Sequence, residues 1–361
     1  MSYMNYSPIP TKPMDIPLIV RTTNGPSIPI LSNSFFDNIP NITSQFNISH
    51  VAKQNNVSKT DISKLTKIND GYGMLCDVVL PKFVQERIKY GKITNAFFTR
   101  VEVMSIGNIL EPMKSGEENN NIMYIGDDID CFKGVISHMI PQRTIEFTHV
   151  LPSQIHTIVG FEHITSHPPF RNISVIYVDV CASEVAYSHT YVVFLLKTLA
   201  IILSCQAKRG SVVIKTNMLV FKPILDILYL LSGKYQHMYI VRPFVSEDTD
   251  SRFVILSGLL SNQSSSIIDN LITNANNVNT IAPNQIISSV IDCKMSQYFI
   301  TKVEECNMLI AQKYVEKYDS LVIMIRNYAK DNSIDYLKNT SILRCISWCE
   351  KFEIPTCRPP S

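Results

Sequence analysis

The sequence holds few of the features that make a function easy to read. It has no Cys-x-x-Cys pair, one tryptophan and a charged fraction of 18%. Hydrophobic residues make up 45%, which excludes a disordered, highly charged chain and predicts a globular one. The formal net charge is only +2, so bulk electrostatics gives no reason to expect nucleic-acid binding; that would need a local basic patch. No signal-peptide pattern opens the sequence, and the nine cysteines are an odd number, which predicts reduced thiols in a cytosolic setting. Cys345 and Cys349 fall on one helix face. Two further ligands at zinc spacing are missing, so no metal site is expected. The longest apolar run, Tyr191 to Cys205, is broken by Lys197 and falls short of the about 20 residues a membrane span needs. It reads as a core helix, with no membrane partner. Isoleucine, asparagine, serine and lysine are abundant, a bias typical of AT-rich coding sequence, as in many cytoplasmic DNA viruses and plasmids.

What is present is an α/β texture in the middle of the chain. Residues 1 to about 65 are rich in Pro, Asn, Ser and Thr without a sustained period, which predicts an extended arm. Thr94 to Leu110 has helical spacing. Short apolar runs at Ile122–Ile125, Thr144–Val150, Thr157–Phe161, Ile173–Val180, Ser211–Lys215, His237–Val241 and Arg252–Leu256 read as strands. Helices are expected at Cys131–Ile140, Thr190–Cys205 and Lys222–Gly233. The alternation predicts a mostly parallel sheet covered on both faces. Beyond about 262 the pattern turns helical: Ser296–Tyr328 reads as one long amphipathic helix or two, and Thr340–Phe352 as a short one. His163 and His167 are four apart, but Pro168-Pro169 predicts a loop there.

In such a sheet, ligands sit at the carboxyl ends of the strands. That singles out Gly126-Asp127-Asp128, Asp179 and Lys215. A lysine flanked by acids, with its pKa tuned by its neighbours, suits abstraction of a ribose hydroxyl proton during methyl transfer. A cofactor loop needs small residues so that backbone amides reach the ligand.

From about 85 to 260 the chain resembles the FtsJ-like RNA 2′-O-methyltransferase superfamily. The resemblance runs through Ala96-Phe97-Phe98-Thr99-Arg100, Asp179, Gly210-Ser-Val-Val-Ile-Lys215 and Asp250-Ser251. It implies a Rossmann-like methyltransferase sheet with helices on both faces, between an N-terminal arm (1–70) and a C-terminal helical region (263–361), the degenerate domain itself covering 71–262. It also implies a depleted catalytic set. Thr99 stands at the first lysine position and Ser251 at the glutamate, while Asp179 and Lys215 are kept. The cofactor loop keeps only Gly126, with Asp127 and Asp128 where the cofactor's own carboxylate would sit. Asn69-Asp-Gly-Tyr-Gly73 is similar to a rival cofactor loop, from the methyltransferase region of negative-strand RNA virus polymerases; its plain alternative is a surface turn.

A narrower resemblance is to the small regulatory subunits of poxvirus-type mRNA capping enzymes. It is carried by Tyr90 to Val103, Val213-Ile-Lys215, Asp250-Ser251 and Tyr298 to Cys306 in the same order. It implies a cytoplasmic, virus-associated protein that binds no cofactor of its own. Its partner would be the large capping subunit, whose guanine-N7 methyltransferase domain uses S-adenosylmethionine and is stimulated by the heterodimer. RNA and an RNA polymerase would be reached through the complex. Phe97, Phe98, Met104, Tyr239 and Phe253 are then candidates for interface, with core as the default. The other reading is an active cap 2′-O-methyltransferase using Asp179 and Lys215, with Arg100 and Glu247 or Asp250 as substitutes.

Overall fold

The computed structural model describes residues 18–24, 31, 47–87, 93–115, 120–166, 170–180, 189–216, 219–245, 252–260, 265–277, 285–328 and 333–357. The protein is mixed α/β. Six strands form the main sheet: β2 (Asn121–Ile125), β3 (Glu146–Val150), β4 (Ile173–Val178), β5 (Gln206–Thr216), β6 (Tyr235–Val241) and β7 (Arg252–Leu259). Their order is β3-β2-β4-β5-β7-β6. The four strands from β3 to β5 run parallel, and β7 is antiparallel to both its neighbours. A separate antiparallel ribbon pairs β1 (Leu18–Asn24) with β8 (Gln285–Ile291).

Strand β4 shows why the sheet is covered on both faces. Its run Ile-Ser-Val-Ile-Tyr-Val is buried at every position, as a central parallel strand requires. Ile176 and Val178 enter one core and Val175 and Tyr177 the other. The first core holds α10 (His189–Cys205), α11 (Lys222–Ser232), α12 (Ser265–Asn277) and the first half of α13 (Gln297–Asn327). The second holds α5 (Asn95–Ser105), α7 (Ile129–Met139) and α14 (Ser333–Lys351). Lys197 is fully buried in α10, yet its Nζ donates to the His156 carbonyl at 3.0 Å and lies 5.5 Å from the Phe161 ring centroid. No helix among the described residues is long and apolar enough to cross a membrane.

Several expectations are corrected. Thr157–Phe161 is not a strand; it begins α9 (Ile158–Ser166), after the one-turn α8 (Pro152–His156). The same helix takes His163 out of the expected loop, and His167 lies outside the described residues. The amino-terminal arm carries regular structure: α1 (Ile48–Gln54) and α2 (Lys59–Asn69) pack on the far half of α13 around Leu65, Leu321 and Ile325. Both helices are capped, Asn47 accepting from the His50 amide and Ser58 from the Asp61 amide, so polar residues that read as loop are N-caps. The carboxyl-terminal region is not purely helical, because it supplies β8. Ser296–Tyr328 folds as one helix, and the last helix begins at Ser333, earlier than its sequence pattern shows.

The ribbon is held on α11 by a buried charge. Asp226 is fully buried and accepts two bonds from Lys222 Nζ (2.7 and 2.8 Å), one from the Ser289 hydroxyl (2.8 Å) and one from the Val290 amide (2.8 Å).

Candidate functional site at the strand-order reversal

The chain runs outward from β2 to β3, then returns to the other side of β2 with β4. Such a reversal leaves a crevice between the carboxyl ends of β2 and β4, the usual ligand position in open α/β sheets. Gly126-Asp127-Asp128 follows β2, Asp179 follows β4 and Lys215 is the penultimate residue of β5, so the structure gathers these expected residues at one end of the sheet.

Arg100 fills the crevice. It projects from α5, is 5% exposed, and bonds to both strand ends. Its Nε and Nη2 donate to Asp179 Oδ2 at 3.0 and 2.6 Å, Nη1 donates to Asp128 Oδ2 at 2.9 Å, and Nη2 also meets the Tyr124 hydroxyl at 3.2 Å. Tyr124 completes the closure by donating to Asp179 Oδ2 at 3.2 Å. Lys215 Nζ stands 3.6 Å from the other Asp179 oxygen, and Tyr191 donates to the Lys215 carbonyl at 3.2 Å.

The electrostatics fix the charge states. Burial works against the Arg100 charge, but Asp179 with Tyr124, Tyr177 and Cys131 outweighs it, and the guanidinium holds its proton more tightly than usual. A guanidinium so held cannot accept a proton, so it cannot replace a lysine base. Burial, followed by Asp179, pushes the Tyr124 phenol well up, which keeps its hydroxyl a donor. Burial also pushes the Cys131 thiol up to about 11.

Thr99, the expected vestigial lysine position, is not in the crevice. Its hydroxyl donates to the Val245 carbonyl, in the segment after β6. Glu102 grips the same segment, accepting from the Phe244 and Val245 amides at 3.0 and 3.1 Å. One face of α5 therefore closes the crevice while the other anchors the β6–β7 connection. Burial pushes the Glu102 carboxyl above its ordinary 4.5, with the two amide bonds pulling the other way. The folded protein thus takes up this proton more readily than the unfolded chain. The stability tied to Glu102 is fully present below about pH 4.5 and is lost as pH rises through the folded-state value. Denaturation curves should show wild type losing stability relative to Glu102→Gln as pH climbs from that point; parallel pH profiles would refute it.

The cofactor loop is closed as well. A Cβ added at Gly126 would lie 2.9 Å from the Tyr124 hydroxyl. His149 Nε2 donates to the Gly126 carbonyl at 2.7 Å. Asp128 caps α7, accepting from the Cys131 amide at 3.4 Å, and Asp127 is exposed. These residues do not fit S-adenosylmethionine, because the Arg100 guanidinium and the Tyr124 phenol take up the space between the strand ends and already occupy Asp179 and Asp128. The rival loop at Asn69–Gly73 follows a helix, not a strand. It is no surface turn either, because Tyr72 is buried 5.8 Å from Phe244 and Asn69 donates to the Lys317 carbonyl at 2.7 Å. Glu247, Asp250 and Ser251 lie outside the described residues.

Sequence reasoning missed Tyr124 and Glu102. Tyr124 carried a usable signal, since it alternates with Ile122 on the face of β2 toward α5. Phe97, Phe98, Met104 and Phe253 are core, at most 2% exposed, and Tyr239 packs half-buried against them. Cys345 and Cys349 share one buried helix face, and burial pushes their thiols up to about 11 and 12. No cluster of metal-ligating side chains occurs among the described residues. No family model and no curated protein matches the chain.

Proposed function

We propose that this chain is a non-catalytic regulatory subunit of a viral-type mRNA capping enzyme. In this reading its sheet is a Rossmann-like methyltransferase sheet that has lost its reaction. It binds the guanine-N7 methyltransferase domain of a large subunit and stimulates it. S-adenosylmethionine is used by that partner, and the complex works in the cytoplasm of an infected cell, in the virion or in a cytoplasmic plasmid system. RNA and the transcribing polymerase are met through the complex.

The observation that carries the reading is the Arg100 plug. Where a methyltransferase needs an open crevice and a titratable base, this chain has an internal ion cluster that holds Asp179 and Asp128. The collinear motif matches from Tyr90 to Cys306 supply the capping context, and the reversal of strand order supports the methyltransferase ancestry.

The second reading, an active cap 2′-O-methyltransferase, draws on the closeness of Lys215 to Asp179. It is weaker because Arg100 supplies no base, and loss of one member of a cooperating set removes most activity.

Calorimetry of the isolated chain with S-adenosylmethionine should give no heat of binding. Addition of the chain to the N7 methyltransferase domain of a large capping subunit should raise its rate about tenfold or more, a difference of about 1.4 kcal/mol. Micromolar cofactor binding by the isolated chain would overturn the reading, as would an N7 rate that does not change on mixing.

A further inference from the structure

The sheet ends at β3, and the chain then turns into helices α8 and α9 instead of adding a further strand. The Glu146 amide donates to the Asn120 carbonyl at 2.9 Å, and the Gly126 amide to the Val150 carbonyl at 3.1 Å. In a parallel ladder this parity turns Glu146, Thr148 and Val150 toward β2, and leaves the N–H and C=O groups of Phe147 and His149 on the outer edge. No further strand pairs there among the described residues. An edge of this kind is a template for an added strand.

The segment that follows β3 exposes three apolar side chains among polar ones. Leu151, Ile158 and Val159 are 40%, 50% and 79% exposed. They sit on one rigid corner: Gln154 Oε1 accepts from the Leu151 amide at 2.7 Å, Thr157 Oγ1 accepts from the Gly160 amide at 3.1 Å, and a Cβ at Gly160 would meet the Gln154 carbonyl at 2.3 Å. Carboxylates frame the strip. Glu146 stands exposed at its start, Asp127 beside its end, and Glu162 on the helix face that carries Ile158 and Val159. Of the neighbouring cations, Arg143 donates to the Lys114 carbonyl at 3.0 Å, and Lys133 Nζ lies 6.0 Å from the Phe147 ring centroid, on the face of β3 toward α7 and opposite the core that holds Ile155 and Phe161.

We propose that the outer edge of β3 docks an extended, lysine- or arginine-bearing segment of a partner protein. The segment adds as a seventh strand of the sheet and sets an apolar side chain on the Leu151–Ile158–Val159 corner. Charge selects this occupant over a second copy of the chain, because self-pairing would set one acidic rim against another. The inference stands apart from the capping assignment, since it rests on the edge and its charge alone.

The test uses the full chain and a synthetic peptide of about seven residues in which lysine and valine alternate, with a glutamate–valine peptide as its control. Without peptide, site-resolved amide exchange should be about tenfold faster at Phe147 and His149 than at Thr148. The lysine peptide at saturation should slow both outer amides at least about threefold and leave Thr148 unchanged. The glutamate peptide should have no effect. Val159→Lys, at a position open to solvent, should abolish the slowing without changing the fold. Equal protection of all three amides in the isolated chain would overturn the proposal, as would equal binding of the two peptides or no slowing at all. A concentration-dependent dimer that Val159→Lys dissolves would assign the edge to a second copy instead.

Discussion

Arg100→Ala is expected to destabilise the protein by about 3–5 kcal/mol, the cost of leaving a buried charge without its partner. The side chain is one of the least exposed charges in the molecule, and Asp179, its main partner, is itself 10% exposed. Without the guanidinium, the Asp179 carboxylate keeps, among the described residues, the Tyr124 hydroxyl and a Lys215 ammonium at 3.6 Å. Chemical denaturation followed by circular dichroism measures the loss. Arg100→Ala combined with Asp179→Asn should recover a large part of it, since the stranded charge is then gone, and the double-mutant cycle should give a coupling of about 2–3 kcal/mol. Arg100→Lys should recover little, because one ammonium cannot span Asp179, Asp128 and Tyr124 together. A loss under about 1 kcal/mol for Arg100→Ala would mean that the crevice relaxes without its plug, and would remove the main support for a non-catalytic role.

The second large effect is expected at Asp226. Its carboxylate takes the Ser289 hydroxyl and the Val290 amide of β8, beside one direct bond from Lys222 Nζ to Ser289 Oγ at 2.9 Å. Asp226→Ala strands the Val290 amide and removes the buried partner of Lys222, while Ser289 can turn to the Ile291 carbonyl at 2.9 Å. Each unsatisfied buried group costs about 1–3 kcal/mol, and solvent can reach Lys222, which is one-third exposed. A total of about 3 kcal/mol is expected. Asp226→Asn should fall between, since its carbonyl oxygen still accepts from Ser289 and Val290 while the ion pair is lost. Amide exchange distinguishes a local effect from a global one. In Asp226→Ala the amides of β1 and β8 should open well before those of β4. Uniform loss of protection across the main sheet would show that the ribbon is not anchored by this residue.

Much of the sheet was legible because its physics is local. The β-branched run of β4, the apolar run of α10 and the Gly-initiated run into Lys215 each fix their element without help from distant residues. The misreadings share a cause. Thr157–Phe161 alternates like a strand, but Thr157 caps the next turn through the Gly160 amide and Pro152 starts the turn before it. Asn47 and Ser58 belong to a polar stretch, and only their bonds reveal caps. At the site, motif spacing pointed to Thr99. The helix places the next residue, about 100° around the axis, in the crevice. Which of two adjacent helical residues faces the sheet depends on the packing of the whole helix, and no short motif carries that information. The coming together of Asp179 and Lys215 was readable because both end strands that pair directly.

The β1–β8 ribbon also bears on how the chain is made. Arg21 meets Ser288 across 267 residues. At a synthesis rate of about 5–20 residues per second, β1 leaves the ribosome roughly 15–50 s before its pairing strand exists. Through that interval the first strand waits as an open template while the six strands of the main sheet and the helices between them are made; α13 and α14, which complete the two layers, follow β8. Ribbon closure is therefore a late, non-local step, and the newborn chain has its greatest need of a chaperone just before Gln285–Ile291 appears.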